Sequence, residues 1–123
     1  MKTVLIVDDC NCVRELMELL VGSLEFKVIG EAENGKVAVE KYKELKPDLV
    51  FMDIMMSEMN GIEALRQIME FDSEAKVIIT SSLADQRFIA EEAAALGAKG
   101  FLVKPVELKN VKEVVNKVLN EGV

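Results

Sequence analysis

The sequence predicts an α/β domain built as a doubly wound parallel sheet with helices on both faces. Short apolar, β-branched runs alternate five times with segments of helical periodicity, and the connections between them are short. The runs are continuously hydrophobic, as expected for strands buried on both faces. Three of the acids, Asp8, Asp9 and Asp53, fall at the ends of such runs, where an open sheet of this class places its ligands.

Val4–Val7 is the first strand. Asn11 is placed to cap the helix that follows, where Val13, Leu16, Met17 and Leu20 recur at helical spacing until Gly22 stops it. Lys27–Gly30 reads as the second strand and Glu31–Gly35 as its exit turn. The next helix carries Val37, Ala38, Tyr42 and Leu45 and closes before Pro47. Asp48–Met52 is the third strand, ending at Asp53. A turn at Asn60–Gly61 leads into a helix marked by Ile62, Leu65, Ile68 and Met69. Lys76–Thr80 is the fourth strand, and Phe88, Ile89, Ala93 and Leu96 mark a helix ended by Gly97. Gly100–Val103 is the fifth strand, and Leu108, Val111, Val114, Val115, Val118 and Leu119 form the last amphipathic stripe.

At 123 residues the chain suits one domain, residues 1–123, with a substantial core. Its 15 basic and 22 acidic residues give a net charge of −7, which argues against direct nucleic-acid binding because phosphate neutralisation needs clustered Lys and Arg. No apolar run is long enough for membrane insertion, and Met1–Lys2 leads straight into a strand pattern without a signal peptide, so a cytoplasmic location is expected. Cys10 and Cys12 have no His or second cysteine pair to complete a zinc site and are expected to be free thiols.

With these strands parallel, Asp8, Asp9, Asp53, Ser82 and Lys104 all reach one edge of the sheet. Converging carboxylates repel one another unless a cation relieves them, and oxygen ligands suit Mg²⁺. Lys104 adds nothing to a bare divalent site but can neutralise phosphate oxygens, and Ser82 adds a hydroxyl donor. Two acids for a metal, one as nucleophile, a hydroxyl and an ammonium make a phosphoryl-transfer set. Asp53 is the better nucleophile, because the adjacent Asp8 and Asp9 are best used holding the cation. Each of these residues also has a plainer reading as a capping acid, a solvated strand end, a loop hydroxyl or a surface lysine.

The stretches VLIVDD, Asp53 to Gly61, the Ser82 position and GAKGFLVKP from Gly97 to Pro105 stand in the order and separation of a known family. Over essentially its full length the chain resembles the receiver domain of two-component response regulators, most like a stand-alone chemotaxis-type regulator. The resemblance implies a flavodoxin-like sheet of strand order 2-1-3-4-5. It implies that Asp53 accepts a phosphoryl group from a sensor histidine kinase or a small donor such as acetyl phosphate. It also implies that the site catalyses its own dephosphorylation. Mg²⁺ would be held by Asp8, Asp9, Asp53 and the backbone carbonyl of Met55, while Ser82 and Lys104 bind phosphoryl oxygens. The choice of Ser82 over Ser81 rests on family spacing. Phe101 matches an aromatic switch position, although a ring there can also be simply packed. The fourth helix, fifth strand and fifth helix would form the face read by an output protein, and the chain would be a monomer or weak dimer.

Several positions depart from the family pattern. Ser57 stands where Pro is usual, Leu83 where a small residue follows the switch hydroxyl, and Val106 replaces a common aromatic. Met55 and Ala84 occupy the variable positions flanking the phosphoryl site, and neither can orient a water through a side-chain hydrogen bond. Two rivals follow: a degenerate receiver that binds partners without phosphorylation, and a small hydrolase with an aspartyl-phosphate intermediate. The hydrolase lacks a second acid as proton donor and room for a substrate cap.

Overall fold

A computed structural model describes residues 1–56, 58–82 and 86–120, the side chains of 86–88 lying outside that description. Five strands and five helices alternate: β1 (Thr3–Val7), α1 (Asn11–Ser23), β2 (Lys27–Ala32), α2 (Gly35–Leu45), β3 (Leu49–Asp53), α3 (Gly61–Phe71), β4 (Val77–Ser81), α4 (Gln86–Leu96), β5 (Gly100–Val103) and α5 (Leu108–Leu119). All pairings are parallel and the sheet order is β2-β1-β3-β4-β5, the order the family resemblance implied.

The continuous apolar strands are buried on both faces, and strand parity divides the core in two. Leu5, Val7, Val50, Met52, Val77 and Ile79 pack with residues of α2, α3 and α4. Val4, Ile6, Leu49, Phe51, Ile78 and Leu102 pack on the other face with Met17 and Val21 of α1 and Val111, Val115 and Val118 of α5. Each fully buried valine or leucine in these layers contributes about 1.5–3 kcal/mol relative to exposure.

Several boundaries differ from the sequence reading. β2 continues through Glu31 and Ala32, expected as a turn, because they stay in register with Ile6 and Val7 of β1. β3 and β4 each sit one residue later than expected, which brings Asp53 and Ser81 inside strands. Asn11 does not cap α1. Cys10 holds the N-cap position without a side-chain bond, and Asn11 is the first helical residue. Gly22 lies within α1, and the chain reverses beyond it at Glu25, whose φ is +68°. Where Asn34 and Asn60 precede α2 and α3, their side chains do cap, accepting from the backbone N–H of Val37 and Glu63. Among the described residues no helix is long and apolar enough to cross a membrane. Cys10 and Cys12 are free and exposed.

Candidate active site

Parity places the site before any side chain is considered. Asp8 continues the alternation of Val4 and Ile6, Asp53 that of Leu49 and Phe51, and Lys104 that of Leu102. All three therefore emerge on the α1–α5 side of the sheet at the carboxyl ends of β1, β3 and β5. Ser82, just past β4, shares this parity. Ser81 does not, and it is buried within the strand while Ser82 is exposed.

Asp8 and Asp53 are almost fully buried, at 2% and 4% exposure, whereas Asp9 is exposed. Carboxylate oxygens of the three lie within 4.8 Å of one another. Asp8 Oδ1 accepts the backbone N–H of Cys10 at 2.9 Å, which fixes its rotamer from within the loop. Lys104 Nζ donates to Asp8 Oδ2 at 2.7 Å and Asp53 Oδ1 at 3.1 Å. The lysine is itself tethered, its backbone N–H bonding the Ser81 carbonyl at 2.7 Å, and a cis Lys104–Pro105 peptide follows. On the other side of Asp53, Ile54 accepts the Gly61 N–H at 2.9 Å. A Cβ at Gly61 would collide with the Asp53 carbonyl oxygen, so glycine is what lets α3 start this close to the acid.

One lysine does not neutralise three carboxylates. Burial, and next the neighbouring Asp8 charge, push the Asp53 carboxyl above its ordinary value of 3.8 despite the Lys104 bond. Burial alone would lower Lys104, but the hydrogen bonds and charges of Asp8 and Asp53 outweigh it and hold the ammonium above its usual range. A pocket of oxygen donors short of positive charge is chemically suited to a hard divalent cation, so the residues present fit Mg²⁺.

The model of the response regulator receiver domain matches residues 4–116. This chain belongs to that family. The receiver is 50% identical over 117 residues to the chemotaxis protein CheY of Thermotoga maritima, covering 95% of this chain and 97% of that protein. It is 46% identical to CheY of Bacillus subtilis over the same shares. Among solved structures, CheY in the CheX–CheY–BeF3–Mg²⁺ complex from Borrelia burgdorferi aligns at a TM-score of 0.92 with 37% identity, over 98% of this chain and 90% of that one.

The receiver thus brings Asp8, Asp9 and Asp53 within 4.8 Å of one another and bonds Lys104 to the two buried acids, with Ser82 at the adjoining strand end. Met55 is 72% exposed beside it. Phe101, paired with Ile79 across the sheet, is half-buried against the α2–α4 layer, on the opposite parity from the acids. Ser57, Leu83 and Ala84 lie outside the described residues, while Val106 is buried in the α5 layer. Sequence reasoning missed Arg14, Glu31 and Lys41, which are joined behind the acids. Arg14 falls three and seven residues before the buried Met17 and Val21, a core-facing position where a guanidinium is itself a signal.

Proposed function

We propose that the protein is a phosphoacceptor switch in which Asp53 takes a phosphoryl group from the phosphohistidine of a sensor histidine kinase or from a small phosphodonor. The observation that carries this is the juxtaposition of three carboxylates within 4.8 Å with a lysine bonded to both buried members. Membership of the receiver family and CheY relatives at 50% and 46% identity support it, as does a structural neighbour solved with BeF3 and Mg²⁺. Residues 1–123 are read as one receiver unit.

An Asp53 carboxylate oxygen attacks phosphorus, an O–P bond forms, and the P–N bond to the donor imidazole breaks with its electron pair leaving on nitrogen. Asp8, Asp9, Asp53 and the Met55 carbonyl are assigned to Mg²⁺, which supplies charge neutralisation of the phosphoryl oxygens. Lys104, already held between Asp8 and Asp53, places its ammonium on those oxygens as the charge on residue 53 grows from −1 towards −2. Ser82, exposed on the Asp53 side of the sheet, donates its hydroxyl to the same group. Hydrolysis reverses the state: water attacks phosphorus, and the Asp53 carboxylate leaves. Met55 and Ala84 offer no side-chain hydrogen bond to that water, so they do not accelerate this step.

The readout is assigned to α4, β5 and α5. Movement of Ser82 towards the phosphoryl group frees space for Phe101, which lines a cleft of about 210 Å³ with Ala90, Ala93 and Lys117. An output protein would read the two packings. The Borrelia burgdorferi neighbour is in complex with CheX, which supports a protein partner for this face.

Intact-mass spectrometry after incubation with acetyl phosphate tests the chemistry. A single phosphoryl adduct that needs Mg²⁺ and is absent from Asp53→Asn is the expected result. If neither acetyl phosphate nor any histidine kinase tried gives an adduct while Mg²⁺ still binds, the protein is instead a phosphorylation-independent binding module.

A further inference from the structure

We propose that Arg14 is a positioning residue for the divalent-cation site, setting the geometry of Asp8 and Asp9 through the backbone that carries them. This rests on the assignment of Mg²⁺ to those acids. Arg14 is the only residue among those described whose side chain bonds both ends of the β1–α1 loop. Its Nη1 donates to the Asp8 backbone carbonyl at 2.6 Å and its Nη2 to Asn11 Oδ1 at 3.0 Å. Its Nε donates to Glu31 Oε1 at 3.2 Å, across on β2, with the guanidinium side chain only 15% exposed.

The arrangement is a three-way brace. Glu31 is held in turn by its strand register opposite Ile6, and its backbone carbonyl accepts Lys41 Nζ from α2. The Asp8 N–H bonds the Ala32 carbonyl at 3.0 Å, so the strand end is pinned to β2 by main chain and by the Arg14 fork together. Between the two Arg14 anchors lie the Asp9 peptide and the Cys10 N–H that orients Asp8 Oδ1. Arg14 makes no hydrogen bond to the Asp8 or Asp9 carboxylates. It acts through the loop, and its positive charge works slightly against a bound cation.

That opposition separates geometry from charge. Lys at position 14 keeps the charge, but its three N–H donors radiate from one nitrogen and cannot span the acceptors that the guanidinium reaches from three separate nitrogens. Mg²⁺ demands near-ideal octahedral geometry, whereas Ca²⁺ tolerates irregular ligand sets. Groups that orient metal ligands typically matter by about 10–100-fold in affinity. Loosening the loop should therefore weaken Mg²⁺ by about tenfold or more and Ca²⁺ by clearly less, lowering the Mg²⁺/Ca²⁺ preference. A residue that served stability alone would leave that ratio unchanged.

The experiment is calorimetric titration of Mg²⁺ and of Ca²⁺ into the full chain and into Arg14→Lys, Glu31→Gln, Glu31→Ala and Asp9→Asn, beside thermal melts without metal. Arg14→Lys is expected to melt cooperatively and to lose Mg²⁺ affinity selectively. Glu31→Gln keeps the acceptor for Nε and should stay near the parent, while Glu31→Ala removes it and should lower the Mg²⁺/Ca²⁺ preference. The Glu31 pair carries the test alone should Arg14→Lys fail to fold. Mg²⁺ affinity within about twofold of the parent in Arg14→Lys, or equal losses for both ions, overturns the proposal. If Asp9→Asn weakens Mg²⁺ and Arg14→Lys does not, only the positioning role falls. If Asp9→Asn binds Mg²⁺ like the parent, the cation assignment fails and the role falls with it.

Discussion

Replacing Asp53 by Asn should stabilise the metal-free protein, although it removes half of a lysine ion pair. Asp53 lies within 4.8 Å of an oxygen of Asp8 and of Asp9. Taking 4.8 Å, the upper limit of their separation, and an effective dielectric constant near 20, the buried Asp8 charge repels it by at least about 3.5 kcal/mol. The exposed Asp9, screened as in water, adds about 0.9 kcal/mol. Lys104 at 3.1 Å returns about 5.4 kcal/mol of attraction. Holding the carboxylate at 4% exposure costs several kcal/mol more. The balance runs against the ionised acid by about 2 kcal/mol, the same sign as its raised pKa.

Asn keeps the shape and an Oδ1 acceptor for Lys104, so a gain of about 1–2 kcal/mol is expected. For a chain of this length that is a rise in Tm of roughly 3–10 °C. Urea titrations at neutral pH, with and without saturating MgCl2, measure it directly. The parent should gain more from Mg²⁺ than the variant, so the gap narrows when metal is present. An Asp53→Asn protein that is less stable than the parent without Mg²⁺ would refute the reasoning. So would a gap that Mg²⁺ leaves unchanged.

Lys104→Met leaves two buried carboxylates without their cation and should cost about 2–4 kcal/mol in urea without Mg²⁺, a loss that added Mg²⁺ partly restores. Gly61→Ala drives a methyl into the Asp53 and Ile54 backbone and should cost about 1–3 kcal/mol by the same titration. At alkaline pH both Tyr42 and Lys104 weaken the fold as pH rises. Tyr42 is raised above 10.0 by burial and then by its bond to Asp72, so the folded state holds its proton longer and stability falls from pH 10.0 upward. Lys104 is also raised, so its contribution is complete below 10.5 and is lost through its higher folded value. Tyr42→Phe should remove the earlier part of that decline in pH-dependent melts. Asp48 is lowered chiefly by the Thr3 backbone N–H, so its contribution is present above 3.8 and disappears as pH falls below it. Asp48→Ala should cost about 0.5–1.5 kcal/mol at neutral pH in thermal melts.

The sheet was legible because continuous apolar strands and a 3.6-residue helical repeat leave few alternatives. The five-strand alternation and the edge shared by Asp8, Asp9, Asp53 and Lys104 follow from that pattern. Boundaries were less legible for a physical reason. Glu31 looks like the start of a turn because it is charged, yet its backbone pairs with β1 while its side chain pairs with Arg14 at the surface edge. Asn11 looks like a cap by residue type, but Arg14 occupies its Oδ1, and the N-cap position passes to Cys10.

The Asn11 miss and the Arg14 brace have one origin. A capping side chain can serve its own helix or something beyond it, and only the fold decides which. Here the loop between β1 and α1 must carry two acids in close approach, and their repulsion acts to spread it. A cap bonded within α1 would stabilise the helix without restraining the strand end. The Arg14 fork does both, since it joins Asn11 in the first turn to the Asp8 carbonyl and to β2. Each partner is separately unremarkable in the sequence. The one trace left there is a guanidinium in step with Met17 and Val21, where burial without partners would be too costly to hold.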